Sequence, residues 1–133
     1  MKKYIRGFLP IAVVFFVAIA AGGAKVEKEG KAWLAAHSNP ATINVNGIWY
    51  DKNWGNIALN QAEGARELSG RGDNWNVNGV VSGNRVYLLF SRNGGIAYSA
   101  VLTPVSDYVL EGSYSRGLMA EGAEGTKMRL TKR

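Results

Sequence analysis

Short apolar segments recur from residue 44 to the end of the chain, separated by clusters of Gly, Asn, Asp and Ser. Apolar and polar residues alternate within most of these segments, so that Val86, Leu88 and Phe90, for example, share one face. A period of two with one apolar face is typical of antiparallel strands that are covered on one side only. The pattern predicts eight strands, at residues 47–50, 56–61, 66–72, 75–81, 85–91, 96–103, 108–114 and 126–131.

Glycine supports this prediction, because it accounts for 13 of the 87 residues from Gly47 onward, about twice the usual share of roughly 7%. Residues 82–84 and 93–95 are Ser-Gly-Asn and Asn-Gly-Gly, which favour tight hairpin turns. Residues 116–125 form the longest predicted loop, and we expect it to be mobile. Glycines inside the predicted strands permit the sharp bends of a small barrel; they are Gly70, Gly72, Gly79 and Gly112.

Eight strands without a covering helix must close on themselves or fold into two layers. We therefore predict an all-β fold for residues 44–133, a small antiparallel eight-stranded meander barrel. With strands this short, the inward side chains can fill such a barrel completely, so that a hollow interior is not the default.

The first 24 residues have the layout of a secretory signal peptide. Three basic residues within the first six positions precede an apolar run over residues 8–21, and the small residues Gly22, Gly23 and Ala24 follow. The run has 14 residues, fewer than the ~20 that a spanning helix needs. We expect cleavage after Ala24 and export to the periplasm or the extracellular space. An uncleaved anchor is the alternative, and contact with a membrane is expected only if residues 1–24 are retained.

Residues 25–43 are predicted to form a tether with a short helical piece. Residues 31–37 allow two helical turns that carry Trp33 and Leu34, and the sequence Ser-Asn-Pro at 38–40 ends them. One interpretation is a mobile spacer that leads into the barrel. The other is a segment that docks across the barrel or into the cleft of a partner.

Charge and composition exclude several classes of function. The chain has 16 Lys and Arg residues against 10 Asp and Glu, and loss of residues 1–24 would lower its net charge from +6 to +3. The arginines are spread among acidic residues and form no basic stripe, so a nucleic-acid partner is not expected. The chain has no Cys, which excludes disulfides, a thiol nucleophile and a thiolate zinc site.

The sequence does not predict an enzyme. Its single histidine, His37, lies outside the strand region, and no Ser–His–Asp arrangement can be argued within the barrel. Nothing in the sequence brings two carboxylates together about a substrate, and the acidic residues of the turns are expected to be solvated. We predict no catalytic residues, no cofactor and no metal ligand.

Gly47-Ile48-Trp49 on the first strand, the recurring apolar-x-Gly units and the closing segment 127–133 resemble the calycin group, which includes lipocalins and avidins. The resemblance covers about residues 45–133. It implies a small secreted barrel whose closed end is plugged by Trp49. It also implies that Arg129 stacks on that tryptophan through a cation–π contact. Gly47, Trp49 and Arg129 are therefore expected to close the barrel.

Aromatic side chains with a polar tip are common at binding surfaces, because they bury a large area at low entropic cost. Trp54 lies in a turn-like stretch after the first strand, and Trp75, Tyr98 and Tyr114 lie at or within predicted strands. We regard these four residues as candidate ligand contacts.

Two functions remain open from the sequence. The first is an exported, non-enzymatic β-barrel that binds a small apolar or aromatic ligand. The alternative is an envelope protein-binding module, such as an inhibitor of an exported enzyme, with a packed interior. A connected internal pocket would favour the first, and a filled interior would favour the second.

Overall fold

The computed structural model describes residues 24–133. All but the last residue of the predicted leader, residues 1–24, thus lies outside the described part of the chain. The eight predicted strands are confirmed, each to within three residues at either end. The elements are the helix α1, Ala24–Ala35, followed by β1 Gly47–Asp51, β2 Gly55–Gln61, β3 Glu67–Gly72, β4 Asn76–Ser82, β5 Arg85–Arg92, β6 Gly95–Ser106, β7 Val109–Arg116 and β8 Thr126–Lys132.

The strands form a closed antiparallel barrel in which each pairs with the next, and β8 pairs with β1. The turns therefore alternate between the two ends of the barrel. We call one end the mouth; it holds the turns at residues 52–54, 73–75, 93–94 and 117–125. The other end, the base, holds the turns at residues 62–66, 83–84 and 107–108 and the last residue, Arg133.

Side chains fill the interior of the barrel. The alternating residues of the predicted apolar face are the ones that point inward, and most are under 2% exposed. This arrangement agrees with the expectation for a narrow eight-stranded barrel, whose interior is only wide enough for its own side chains. The buried residues with the largest side chains are Trp49, Phe90, Ile57, Leu59, Leu88, Leu102, Leu110 and Leu130.

The Gly-x-Trp segment lies at the base of the barrel. Trp49 is 2% exposed, and its indole N–H donates a hydrogen bond of 2.9 Å to the carbonyl oxygen of Val45. The Lys132 ammonium lies 5.8 Å from the centroid of the Trp49 ring. Gly47 has a φ of +145°, and a β-carbon there would lie 2.8 Å from the Lys132 side chain. Glycine at position 47 therefore leaves room for the lysine that covers the tryptophan.

Arg129 does not make the contact with Trp49 that the calycin resemblance implies. Its guanidinium pairs with the Glu111 carboxylate on the outer face of the barrel, and its side chain is 59% exposed. The reason is the alternation along β8, because Met128 and Leu130 on either side of Arg129 are buried in the core. Lys132 shares their face and takes the place over the ring.

A buried amide holds the base together. The Gln61 side chain is 6% exposed, and its Oε1 accepts a hydrogen bond of 2.8 Å from the backbone N–H of Val45. Its Nε2 donates to the carbonyl oxygens of Ile43, at 3.2 Å, and Ala65, at 2.9 Å. One side chain thus fixes the segment that crosses the base to the turn between β2 and β3.

Residues 24–41, which we call the strap, lie along the outside of β4, β5 and β6. The His37 ring stacks on the Tyr87 ring with 3.6 Å between centroids, and Trp33 meets Tyr87 edge-on at 5.8 Å. The outward-pointing Tyr87 and Leu89 are only 7% and 5% exposed. Of the two interpretations of the tether, the structure shows the one in which it docks across the barrel. In the described residues, no helix is long and apolar enough to span a bilayer.

The helix begins earlier than the predicted two turns, because residues 24–30 join it. These residues are mostly Ala, Lys and Glu, which are good helix formers. Gly30 packs closely on the sheet, since a β-carbon there would lie 2.7 Å from the Ile96 side chain. A larger side chain at position 30 would therefore collide with β6.

The long loop at residues 117–125 is anchored to the barrel and to the strap at Met119. The Met119 N–H donates a hydrogen bond of 2.8 Å to the Ser99 hydroxyl on the outer face of β6. The Met119 carbonyl oxygen accepts a hydrogen bond of 2.8 Å from the Trp33 indole N–H. The strap and this mouth loop are thus directly connected.

Trp33→Phe should loosen the mouth loop while leaving the strap in place, because it removes the indole N–H and keeps an aromatic ring. We expect amide exchange at residues 117–125 to rise about five-fold, equivalent to about 1 kcal/mol of local stability. Hydrogen-exchange mass spectrometry measures this directly. Exchange at residues 83–84 serves as the control, since an equal rise there would mean that the whole strap has detached. Unchanged exchange at 117–125 would contradict the prediction.

Candidate functional site: the aromatic mouth

Four aromatic rings meet at the mouth of the barrel, and they are the four candidate ligand contacts. Trp54 lies at their centre, with its ring 5.9 Å from Trp75, 5.4 Å from Tyr98 and 5.1 Å from Tyr114, measured between centroids. All four side chains are half-buried. We call these four rings the mouth cluster. That they contact a ligand remains a prediction.

The turn after β1 directs Trp54 back over the barrel. The Asp51 carboxylate accepts hydrogen bonds from the backbone N–H of Asn53, at 2.6 Å, and of Trp54, at 3.2 Å. Gly55 follows with a φ of +75°, a conformation that glycine adopts without strain. The indole consequently packs on the buried Phe90 ring, at 4.5 Å between centroids.

Strand alternation brings the other three rings to the same place. Tyr98 and Tyr114 share the inward faces of β6 and β7 with buried leucines and lie near the mouth end of those strands. Their rings are 5.8 Å apart, and Trp75, which precedes β4, lies 5.6 Å from Tyr98. Each neighbouring pair is edge-on or tilted, as aromatic pairs prefer. The rings therefore form the outermost layer of the core.

Two arginines flank the mouth cluster. The Arg92 guanidinium lies 4.5 Å from the centroid of the Trp75 ring, and the Arg116 guanidinium lies 5.9 Å from that of Tyr98. Both side chains are exposed. They are the last residues of β5 and β7, and both strands end at the mouth. The sequence pattern predicts no role for them. Arg92 directly follows the predicted strand 85–91, and Arg116 begins the predicted loop 116–125, and these positions beside turns at one end of the barrel are a signal that could have identified them.

The mouth offers a shallow aromatic surface with cations at its edge. Phe90 and the rest of the core lie directly beneath Trp54, so a ligand would rest on the rings rather than enter the barrel. His37 stacks on the outside of β5, away from the mouth. Among the described residues, no group of three or more His, Asp or Glu side chains is placed to hold a metal ion. The arrangement suits contact with apolar or aromatic groups.

A concavity lies at the base, between the strap and the turn that joins β4 to β5. It has a volume of about 350 Å³, is open to solvent and is mainly polar. His37, Ser38, Asn84, Arg85 and Tyr87 are among the residues that line it. None of the candidate ligand contacts belongs to it.

Comparison with known proteins adds no relative. No family model matches the chain, and searches of curated proteins and of solved structures find no match.

Proposed function

We propose that the protein is an exported, non-enzymatic binding module that holds a small apolar or aromatic ligand against the mouth cluster. One observation carries the proposal: four half-exposed rings from four separate segments meet at one end of the barrel. Half-exposed rings that are fixed by their neighbours offer a large contact area and lose little entropy on binding. The proposal that the protein is exported rests on the leader-like residues 1–24.

The closed eight-stranded antiparallel barrel and the buried Trp49 are compatible with a calycin-like fold for this module. The filled interior sets it apart from a barrel that encloses its ligand. The ligand proposed here lies on the outer layer of the core, where Trp54, Trp75, Tyr98 and Tyr114 are accessible.

A protein partner is the second candidate, as in an inhibitor of an exported enzyme. The filled interior favours it, and so does the composition of the mouth, since Trp, Tyr and Arg dominate the hot spots of protein interfaces. In this function the mouth cluster would be the centre of the interface. The docked strap would stabilise the barrel rather than reach into the partner.

The small-ligand function is tested with N-phenyl-naphthylamine, an uncharged aromatic probe whose fluorescence rises in apolar surroundings. We expect saturable binding to the wild-type protein, and Trp75→Ala should weaken it about ten-fold through the loss of ring contact. Trp75 is a better position for this substitution than Trp54. The Trp54 ring also covers Phe90, and removal of the Trp54 ring would expose the core.

Tyr50→Ala is the matched control, since Tyr50 lies on the outside of β1 and its ring contacts Arg133 at 4.3 Å. Binding of the probe should be unchanged in this variant. An equal loss in both variants would show that the probe does not bind at the mouth. Failure of the wild-type protein to bind would contradict the small-ligand function and leave the protein partner as the function to pursue.

A further inference from the structure

We infer that the ligand of the mouth carries an anionic group, which Arg92 and Arg116 bind while its apolar part lies on the rings. This inference rests on the proposed function and specifies its ligand class as anionic amphiphiles: an aromatic or apolar body with a carboxylate, sulfonate or phosphate. It starts from the two guanidiniums that flank the mouth cluster, at 4.5 Å from Trp75 and 5.9 Å from Tyr98.

A guanidinium beside an aromatic ring can still bind an anion. A planar guanidinium stacks on an aromatic ring through its face, and its five N–H donors point outward in the plane. These donors match the geometry of carboxylate, sulfonate and phosphate oxygens. The ring thus holds the cation in position and leaves its donors available to an anion.

No carboxylate of the described chain occupies these donors. Within residues 28–133, ion pairs join Arg66 to Glu67 and Arg129 to Glu111, and neither includes Arg92 or Arg116. Asp51, the acid closest in sequence to Trp54, instead accepts hydrogen bonds from the backbone of its own turn. Asp73, the acid closest in sequence to Trp75, lies with its carboxylate against Gly55 and forms neither of these ion pairs. Arg92 and Arg116 therefore lie beside the rings without an acidic partner among residues 28–133, the part of the chain whose side chains the structure describes.

The positions of the two arginines place charge next to an apolar surface. Arg92 is at the end of β5 beside Trp75, and Arg116 is at the end of β7 beside Tyr98, whose ring also touches Trp75. An anion held there keeps its solvent contact, because both side chains are exposed. An amphiphile can consequently place its apolar body on the rings without burying its charge.

Two probes with the same ring skeleton test this inference. N-phenyl-naphthylamine is neutral, and anilinonaphthalene sulfonate adds one sulfonate to it. We expect the sulfonate to bind the wild-type protein about ten-fold more tightly than the neutral probe, and added salt to reduce this advantage. In the double variant Arg92→Gln with Arg116→Gln, the affinity for the sulfonate should fall about ten-fold, and the affinity for the neutral probe should stay the same.

The matched control is the double variant Arg85→Gln with Arg133→Gln. It removes the same charge from the base, and Arg133 also lies over a ring, that of Tyr50. The affinity for the sulfonate should be unchanged in this control. Thermal unfolding of all variants verifies that they are folded.

The outcomes separate this inference from the proposed function. If the mouth variant binds the sulfonate as tightly as the wild type does, or if the control loses as much affinity, the inference is overturned. Binding of the neutral probe that is sensitive to Trp75→Ala would then still support the proposed function. If the wild-type protein binds neither probe, both are overturned.

Discussion

Gly112→Ala is expected to lower the free energy of unfolding by about 3 kcal/mol or more, enough to unfold a barrel of this size in part. A β-carbon at position 112 would overlap the carbonyl oxygen of Val101 on β6, and it would lie 2.9 Å from the α-carbon of Leu102. Both are backbone atoms, which cannot rotate aside as a flexible side chain can. The substitution therefore pushes β6 and β7 apart, and these two strands are paired over almost their full length.

Urea unfolding monitored by circular dichroism measures this loss. Gly95→Ala is the matched control, because the nearest atom to a β-carbon there is the carbonyl oxygen of Arg92, at 3.9 Å. We expect that variant to be as stable as the wild-type protein. If Gly112→Ala were equally stable, β6 and β7 would have to be further apart than the structure places them.

Gln61→Leu should also destabilise the barrel, by about 3 kcal/mol. The substitution keeps the volume of the side chain roughly the same but removes all three hydrogen bonds of the amide. The Val45 N–H and the carbonyl oxygens of Ile43 and Ala65 lose their side-chain partner at the base. A buried polar group that loses its partner costs about 1–3 kcal/mol, and the three losses are not simply additive.

The same unfolding experiment tests this prediction, with Asn60→Leu as its control. Asn60 is the neighbouring residue on β2, and it is exposed on the outer face of the barrel. We expect that change to have little effect. A Gln61→Leu variant with wild-type stability would mean that the segment across the base is held by the apolar contacts of Val45 and Trp49 rather than by the amide.

The alternation of apolar and polar residues is sufficient to predict the eight strands, since an inward face must be apolar and an outward face need not be. The same rule brings Tyr98 and Tyr114 to one side of the barrel. It does not reveal Gln61, a polar residue at an inward position, because its partners are backbone groups that carry no sequence signal. The alternation rule also distinguishes Arg129 from Lys132, because only Lys132 lies on the same face of β8 as the buried Leu130.

The sequence contains a signal for the docking of the strap, but alternation of apolar and polar residues does not detect it. Residues 86–90 of β5 are apolar without interruption, and all five are buried. Such a run is typical of a strand that is covered on both faces. A covering element was therefore implied for the outside of β5, although the identity of that element was not. The pairing of His37 with Tyr87 and of Trp33 with Met119 depends on how far the strap is shifted along the strand, which no periodicity determines.

The direction of the strap has a consequence for how the protein can be attached to a surface. Gly30 lies against Ile96 near the mouth, whereas Ala41 bridges to Gly83 at the base. The helix rises about 1.5 Å per residue, so Ala24 lies about 9 Å beyond Gly30 in the direction of the mouth. Arg133 is hydrogen-bonded to Ile48 at the base.

Immobilisation through the C-terminus therefore leaves the mouth facing the solution, whereas attachment through the N-terminal side brings it towards the support. The same geometry means that retention or removal of residues 1–24 would change how accessible the mouth cluster is to solutes. An anchor that precedes α1 would turn the aromatic rings and their two arginines towards a lipid headgroup layer. Cleavage of the leader would leave the rings and the arginines accessible to dissolved ligands.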